Sequence, residues 1–259
     1  MKIFARDDAM QMLNKVPEVT VYFWIIKIMA TTVGETGADF LNFGLNFGLT
    51  RTSLVMASLL SVFLFMQLRA RKYVPWLYWV SVVLISIVGT LITDNLVDNF
   101  GVALETTTAL FGLALLATFA LWYASEKTLS IRSIFTAKRE LFYWAAILFT
   151  FALGTAAGDL VAESMKLGYA YSALMFFAMI TAVTVAHYGF KVNAVLAFWI
   201  AYILTRPLGA SCGDWLSQPT ADGGLGLGTV ATSLVFLATI LALVIFLSIT
   251  RRDVTPTTA

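Results

Sequence analysis

The chain has 259 residues, of which 59% are hydrophobic and 12% charged, and its formal net charge is +2 at pH 7. Ordinary soluble domains carry about 25% charged residues, so this composition excludes a water-soluble globular domain, and we expect no nucleic-acid partner. One cysteine, Cys212, and one histidine, His187, exclude an intrachain disulfide and a Cys-rich or His-rich metal site within one chain.

Eight apolar segments follow a polar amphipathic arm, and each is about 20 residues long, the length that crosses a bilayer as a helix. Because helices satisfy their own backbone groups in lipid, we predict an all-α membrane protein with eight transmembrane helices. The predicted spans are 19–41, 49–68, 76–97, 102–124, 141–164, 169–188, 195–216 and 227–249.

These spans divide the chain into two halves, 19–124 and 141–249, joined by a basic linker at 125–140. Residues 1–18 are predicted to form a short surface helix on the cytoplasmic side, and 250–259 a cytoplasmic tail. The arm has no apolar core before a small-residue cleavage site, so we expect no signal peptide.

Basic residues separate to the two sides of this topology. Thirteen Lys and Arg fall on the side of the termini, two (Arg51 and Lys166) fall on the other, and Lys27 and Arg206 lie inside spans. The positive-inside rule therefore places both termini in the cytoplasm. An odd number of spans would mix the two sets, so the charge pattern also favours eight.

One motif occurs four times: an aromatic residue, a Trp, nine residues, a Gly, four residues and an Asp. Successive Trp residues are 55, 65 and 55 positions apart, which predicts four parallel two-helix repeats arranged as two 120-residue halves. The Trp residues are typical of interfacial anchors, and the Gly residues favour close helix packing. Short outer turns predict that each odd span packs against the even span of its own repeat. The copies are Phe23-Trp24…Gly34…Asp39, Tyr78-Trp79…Gly89…Asp94, Tyr143-Trp144…Gly154…Asp159 and Phe198-Trp199…Gly209…Asp214.

Positions 3, 7, 11 and 15 after each motif Trp follow one helical face. This face is polar and ends in the Asp, about 22 Å from the Trp along the helix axis. If the odd helices pack around a common axis, the four Asp side chains converge, with Glu35 one turn deeper and Asp98 and Glu163 one turn further out. The faces are Lys27, Thr31, Glu35, Asp39; Val82, Ser86, Thr90, Asp94; Ile147, Phe151, Thr155, Asp159; and Tyr202, Arg206, Ala210, Asp214.

Ionisable residues inside membrane spans usually face a bundle interior and mark an ion pathway. Carboxylate and hydroxyl oxygens are hard ligands that suit Mn²⁺, Mg²⁺ or Ca²⁺, so we expect a transported metal ion and no resident cofactor. Lys27 and Arg206 are expected to act as counter-charges. The predicted metal ligands are Glu35, Asp39, Asp94, Asp159 and Asp214, with supporting roles for Thr31, Thr90, Asp98, Thr155 and Glu163.

Two stretches resemble an uncharacterised family of bacterial polytopic membrane proteins: Lys15-Val-Pro-Glu-Val-Thr20 with the motif that follows it, and Thr205 to Asp214. The resemblance spans nearly the whole chain and implies a multi-pass protein of the bacterial inner membrane, without an activity. More loosely, acidic motifs on paired spans are similar to those of cation exchangers and manganese exporters. The Glu-x-Gly-Asp-Lys-Thr motif of such exporters does not occur here.

The favoured interpretation is a secondary transporter for a hard divalent cation, manganese first, working as an exporter with proton exchange on the same carboxylates. Its partners are the lipid bilayer, the inorganic cation and protons. A passive cation channel is the first alternative, although Lys27 and Arg206 would repel cations. A non-transporting sensor or assembly component is the second, suggested by the basic linker. No nucleophile–base pair or phosphate loop indicates an enzyme.

Overall fold

The structure, a computed structural model, describes residues 14–254, and within that range the chain is helical with no strand. The predicted surface helix at 1–18 lies almost wholly outside the described residues. The eight α-helices are α1 (Val21–Asp39), α2 (Leu49–Arg69), α3 (Pro75–Asp94), α4 (Leu104–Glu126), α5 (Ala137–Asp159), α6 (Tyr169–Phe190), α7 (Ala194–Ser217) and α8 (Thr229–Thr250).

Local sequence signals set several helix ends. Thr20 and Thr136 accept hydrogen bonds from the backbone at the starts of α1 and α5, Asn193 does the same for α7, and Pro75 occupies the first turn of α3. Both ends of the predicted linker 125–140 belong to helices, because α4 continues to Glu126 and α5 begins at Ala137.

The four odd-numbered helices form a closed ring in which α1 packs on α3, α3 on α5, α5 on α7 and α7 on α1. Each motif glycine lies against position 7 of the next odd helix. A Cβ added to any of them would overlap that neighbour, so only glycine permits this approach. The four contacts are Gly34 with Ser86, Gly89 with Phe151, Gly154 with Arg206, and Gly209 with Thr31.

The motif aromatics close the same ring at its other end. Each residue that precedes a motif Trp packs on the Trp of the next repeat: Phe23 on Trp79, Tyr78 on Trp144, Tyr143 on Trp199 and Phe198 on Trp24, with ring centroids 5.6, 5.6, 6.3 and 5.7 Å apart. Trp79, Trp144 and Trp199 are only 1%, 4% and 4% exposed. The prediction of interfacial anchors is therefore wrong for these three, because their indoles fill the space between odd helices.

The even-numbered helices lie outside the ring, each chiefly on the odd helix of the following repeat: α2 on α3, α4 on α5, α6 on α7 and α8 on α1. The expectation that each packs on the odd helix of its own repeat is wrong. A short turn limits the distance between two helix ends, but it does not decide which of two adjacent odd helices receives the even one. This packing connects every repeat to the next, and the contact of α8 with α1 connects the fourth repeat to the first.

The even helices present large apolar side chains outward, with Leu54, Leu113, Leu174 and Leu234 between 62% and 67% exposed. Seven described helices are long and apolar enough to cross a membrane; the exception, α1, carries Lys27, Glu35 and Asp39. The prediction of an all-helical protein built from four two-helix repeats is thus confirmed, and the apolar helices are compatible with a multi-pass membrane protein.

Buried polar contacts fasten the motif-Trp end of the bundle. Lys15 Nζ lies 2.7 Å from Glu140 Oε2, and Gln67 Nε2 donates to the other oxygen of that carboxylate at 3.2 Å. Tyr73 donates to Asp253 Oδ2 at 2.6 Å. Burial and the Asp253 carboxylate raise the pKa of Tyr73, and burial raises the pKa of Asp253. These contacts join Lys15 to α2 and α5, and they join Asp253 to the loop between α2 and α3.

Candidate functional site

A cavity of about 650 Å³ opens at the carboxyl ends of the odd helices, the motif-Asp end of the bundle. Thr93, Asn42 and Gln218 contribute to its wall, but most of its polar lining residues are acidic. Seven carboxyl side chains line it: Glu35, Asp39, Asp94, Asp98, Asp159, Glu163 and Asp214.

The four motif Asp residues therefore face one space. Asp214 is buried, Asp39, Asp94 and Asp159 are half-buried, and Asp98 and Glu163 are exposed further out. Carboxylate oxygens of Glu35, Asp159 and Asp214 lie within 4.8 Å of one another. Gln218 Nε2 donates to Asp39 at 3.4 Å, and the Tyr169 hydroxyl donates to Glu163 at 3.1 Å. Across residues 14–254, no Lys or Arg forms an ion pair with any of the motif Asp carboxylates.

Arg206 lies behind the cavity wall and contacts one of the lining residues, Glu35. Its Nη2 donates to Glu35 Oε2 at 2.8 Å, to Thr155 Oγ1 at 2.6 Å and to Thr90 Oγ1, and its Nη1 donates to the Thr31 carbonyl at 3.2 Å. The side chain is wholly buried. The structure thus places three of the predicted supporting residues around a guanidinium, and it pairs Arg206 with Glu35.

Lys27 lies one layer further from the cavity and has a different environment. Its Nζ is 4.3 Å from the ring centroids of both Phe151 and Tyr202. The side chain is fully buried, and Nζ has no hydrogen-bond partner within residues 14–254. Lys27 therefore does not act as a counter-charge in an ion pair, and two aromatic faces provide its contacts instead.

Three features of the site are not predicted from the sequence. A π-helical turn follows the motif Asp in each of the first three repeats, at Phe40–Gly44, Asn95–Asn99 and Leu160–Ser164. Such turns are frequent at functional sites. The fourth repeat instead continues α7 to Ser217 and brings Gln218 and Pro219 to the cavity wall. Asn42 also lines the cavity from the first π-helical turn.

The donor set is suited to a hard cation. Oxygen ligands lie about 2.0–2.6 Å from Mg²⁺ or Ca²⁺, so two ligands on opposite sides of one ion are about 4–5 Å apart. The Glu35, Asp159 and Asp214 oxygens lie within 4.8 Å of one another, close enough for one ion to contact all three. Several unpaired acids in a partly enclosed space also produce a negative potential that concentrates cations.

Each two-helix unit, with one motif copy, matches the same family description, Repeat of Unknown Function (DUF347), at residues 22–73, 77–128, 142–193 and 197–253. The chain belongs to this repeat family. The predicted membership of an uncharacterised repeat family is confirmed, whereas the similarity to cation exporters receives no support from it. No curated protein and no solved structure matches the chain.

Proposed function

We propose that the protein is a secondary transporter that exports a hard divalent cation, manganese first, in exchange for protons. The observation that carries the proposal is the convergence of the Glu35, Asp159 and Asp214 carboxylate oxygens within 4.8 Å of one another in an acidic cavity. Carboxylates in this arrangement can bind a divalent ion or, alternatively, protons, and competition between the two provides the exchange.

The proposal includes eight membrane spans, with both termini in the cytoplasm of the bacterial inner membrane. The outward-facing apolar side chains of the even helices support burial in lipid. Although α1 carries charged residues, Lys27 and Glu35 are buried within the ring of odd helices, so α1 can cross the membrane without presenting these charges to lipid. The basic loops support an orientation in which the cavity mouth faces the outside of the cell.

A closed path favours a transporter over the passive channel. Below the cavity, Arg206, Lys27, Tyr202 and Phe151 are all fully buried, and the motif aromatics follow in the next layer. On the axis below Asp159, a cation therefore meets fully buried side chains, among them the Arg206 guanidinium. Passage requires a conformational change, as alternating access does.

The first experiment measures cellular manganese by mass spectrometry in a manganese-sensitive bacterial host. Expression of the wild type should lower manganese content and restore growth in excess Mn²⁺, whereas Asp94→Asn and Asp159→Asn should abolish both effects. Asp222→Asn is the matched control, because Asp222 is exposed and outside the cavity lining. If the cavity variants export manganese as well as the wild type, the carboxylates are not the site.

A further inference from the structure

Arg206 is held as a metal ion would be held. Its guanidinium is surrounded by the Glu35 carboxylate, the Thr90 and Thr155 hydroxyls and the Thr31 carbonyl. These four oxygens come from three odd helices, α1, α3 and α5, and the Arg enters from the fourth, α7. Carboxylate, hydroxyl and carbonyl oxygens are the ligands that hard divalent cations take in proteins.

We propose that these four oxygens form a second, deeper cation site, and that Arg206 is a tethered cation that occupies this site whenever no metal is there. The role of the deeper site in transport rests on the proposed function, but its existence as a binding site does not. Glu35 belongs to both sites, since its carboxylate also lies within 4.8 Å of the Asp159 and Asp214 oxygens. A metal ion can therefore move from the cavity to the deeper site without losing this ligand.

One donor of Arg206 has no acceptor in this position among the described residues. Its Nε is buried and has no hydrogen-bond partner within residues 14–254. Lys27, in the adjoining layer, also has no counter-ion there, so Glu35 forms its ion pair with Arg206 alone. A buried donor without a partner destabilises the position that buries it, and this favours movement of the guanidinium to other acceptors.

The fourth repeat has the features that allow the guanidinium to move. Pro207 follows Arg206 within α7 and has no N–H for the carbonyl four residues earlier, which weakens the helix at this point. Position 11 of this repeat is Ala210, where the other repeats have Glu35, Thr90 and Thr155. Asp159 and Asp214 offer alternative partners in the cavity, so the guanidinium and the metal ion can exchange positions.

The test counts Mn²⁺ ions bound to the purified full-length protein by electron paramagnetic resonance, in which bound Mn²⁺ loses the sharp six-line signal of the free ion. The wild type should bind Mn²⁺ at the cavity alone. Arg206→Met empties the deeper site, and we expect one additional equivalent, or at least a tenfold tighter affinity. Adding Thr90→Val and Thr155→Val to Arg206→Met should remove this gain, whereas adding Thr118→Val, a buried Thr on α4 away from the axis, should not.

An Arg206→Met protein that is folded and monodisperse but binds Mn²⁺ as the wild type does would overturn the proposal. So would a gain that persists when Thr90 and Thr155 are both Val. If Arg206→Met does not fold, Arg206→Lys replaces it, because a lysine ammonium cannot span all four oxygens. The same additional binding is then expected at a higher Mn²⁺ concentration, and its absence contradicts the proposal.

Failure of this inference and failure of the proposed function give different results. If wild-type protein does not transport Mn²⁺ while Arg206→Met gains the extra equivalent, the deeper site stands and the transporter does not. If the wild type transports Mn²⁺ through the cavity carboxylates and Arg206→Met gains no binding, the transporter stands and the deeper site does not.

Discussion

At the scale of single residues, two lysines show how differently one amine can be buried. Lys15 is paired with Glu140 at 2.7 Å and also donates to the Leu68 carbonyl at 3.0 Å. Lys27 has only the faces of Phe151 and Tyr202, and its Nζ has no hydrogen-bond partner within the described part of the chain. Burying an amine that has no hydrogen-bond partner costs about 1–3 kcal/mol, and contact with two aromatic faces does not supply the missing hydrogen bond. Lys27 is thus retained at a net cost, which is typical of a functional position.

Replacing each lysine by Met should therefore have opposite effects on stability. Lys27→Met removes an unpaired buried amine and should raise the free energy of unfolding by about 1–3 kcal/mol, whereas Lys15→Met leaves Glu140 unpaired and should lower it by about 3–5 kcal/mol. Thermal unfolding of purified protein in detergent measures both as shifts of a few degrees in opposite directions. A lower midpoint for Lys27→Met would show that another group compensates this charge.

The polar residues of the site could be predicted from sequence because the four repeats share one register. Positions 7, 11 and 15 alone identify Thr31, Glu35 and Asp39 and their equivalents as one face. The partner of each side chain could not be predicted, since Arg206 reaches across the ring to α1, α3 and α5. Register fixes the depth of a residue, but side-chain length and the small Gly154 opposite decide what Arg206 can touch.

At the scale of elements, glycine positions determine how the odd helices meet. Gly154 lies against the Cβ and Cγ of Arg206 and the ring of Pro207, so its missing side chain provides the space in which Arg206 crosses the ring. The prediction that these glycines favour close helix packing is confirmed, since each lies directly against the next odd helix. The sequence could not indicate which helices become neighbours, because helix periodicity identifies a buried face and not its partner.

Gly154→Ala should destabilise the bundle and displace Arg206. The added methyl group overlaps Arg206 and Pro207, and overpacking of this kind costs about 1–3 kcal/mol. Gly112→Ala is the matched control, because its nearest neighbour is Leu153 Cδ1 at 3.9 Å, and alanine is favoured over glycine in a helix by about 1 kcal/mol. The thermal midpoint should fall for Gly154→Ala and rise or stay unchanged for Gly112→Ala. Equal midpoints would contradict the close approach at Gly154.

The even helices illustrate what loop length cannot decide. Their bounds lie within a few residues of the predicted spans, because apolar runs bounded by Gly, Pro and charged residues are strong signals. Their packing on the following repeat was not predictable from turns of a few residues. The π-helical turns after Asp39, Asp94 and Asp159 were missed for a similar reason, since they depend on how the chain leaves the ring rather than on local composition.

At the scale of the whole molecule, the four odd helices form a ring whose two ends differ. One end is a cavity with seven carboxyl groups, and the other is a layer of interlocked aromatic side chains. Between these two ends lie Arg206 of α7 and Lys27 of α1. The other three repeats have no basic residue at the equivalent position of either one. The repeats supply the symmetric frame, and α1 and α7 break the symmetry at Lys27, Glu35 and Arg206, which have no counterparts in the other repeats.

The most direct test of the central claim is Mn²⁺ transport by purified protein in liposomes, followed with an enclosed Mn²⁺-quenched dye and a pH dye in parallel. We expect the wild type and Asp222→Asn to move Mn²⁺ with protons moving in the opposite direction, and Asp159→Asn to move neither. Wild-type liposomes that behave like protein-free liposomes, or an Asp159→Asn variant that transports at the wild-type rate, would contradict the claim that the acidic cavity is a cation transport site.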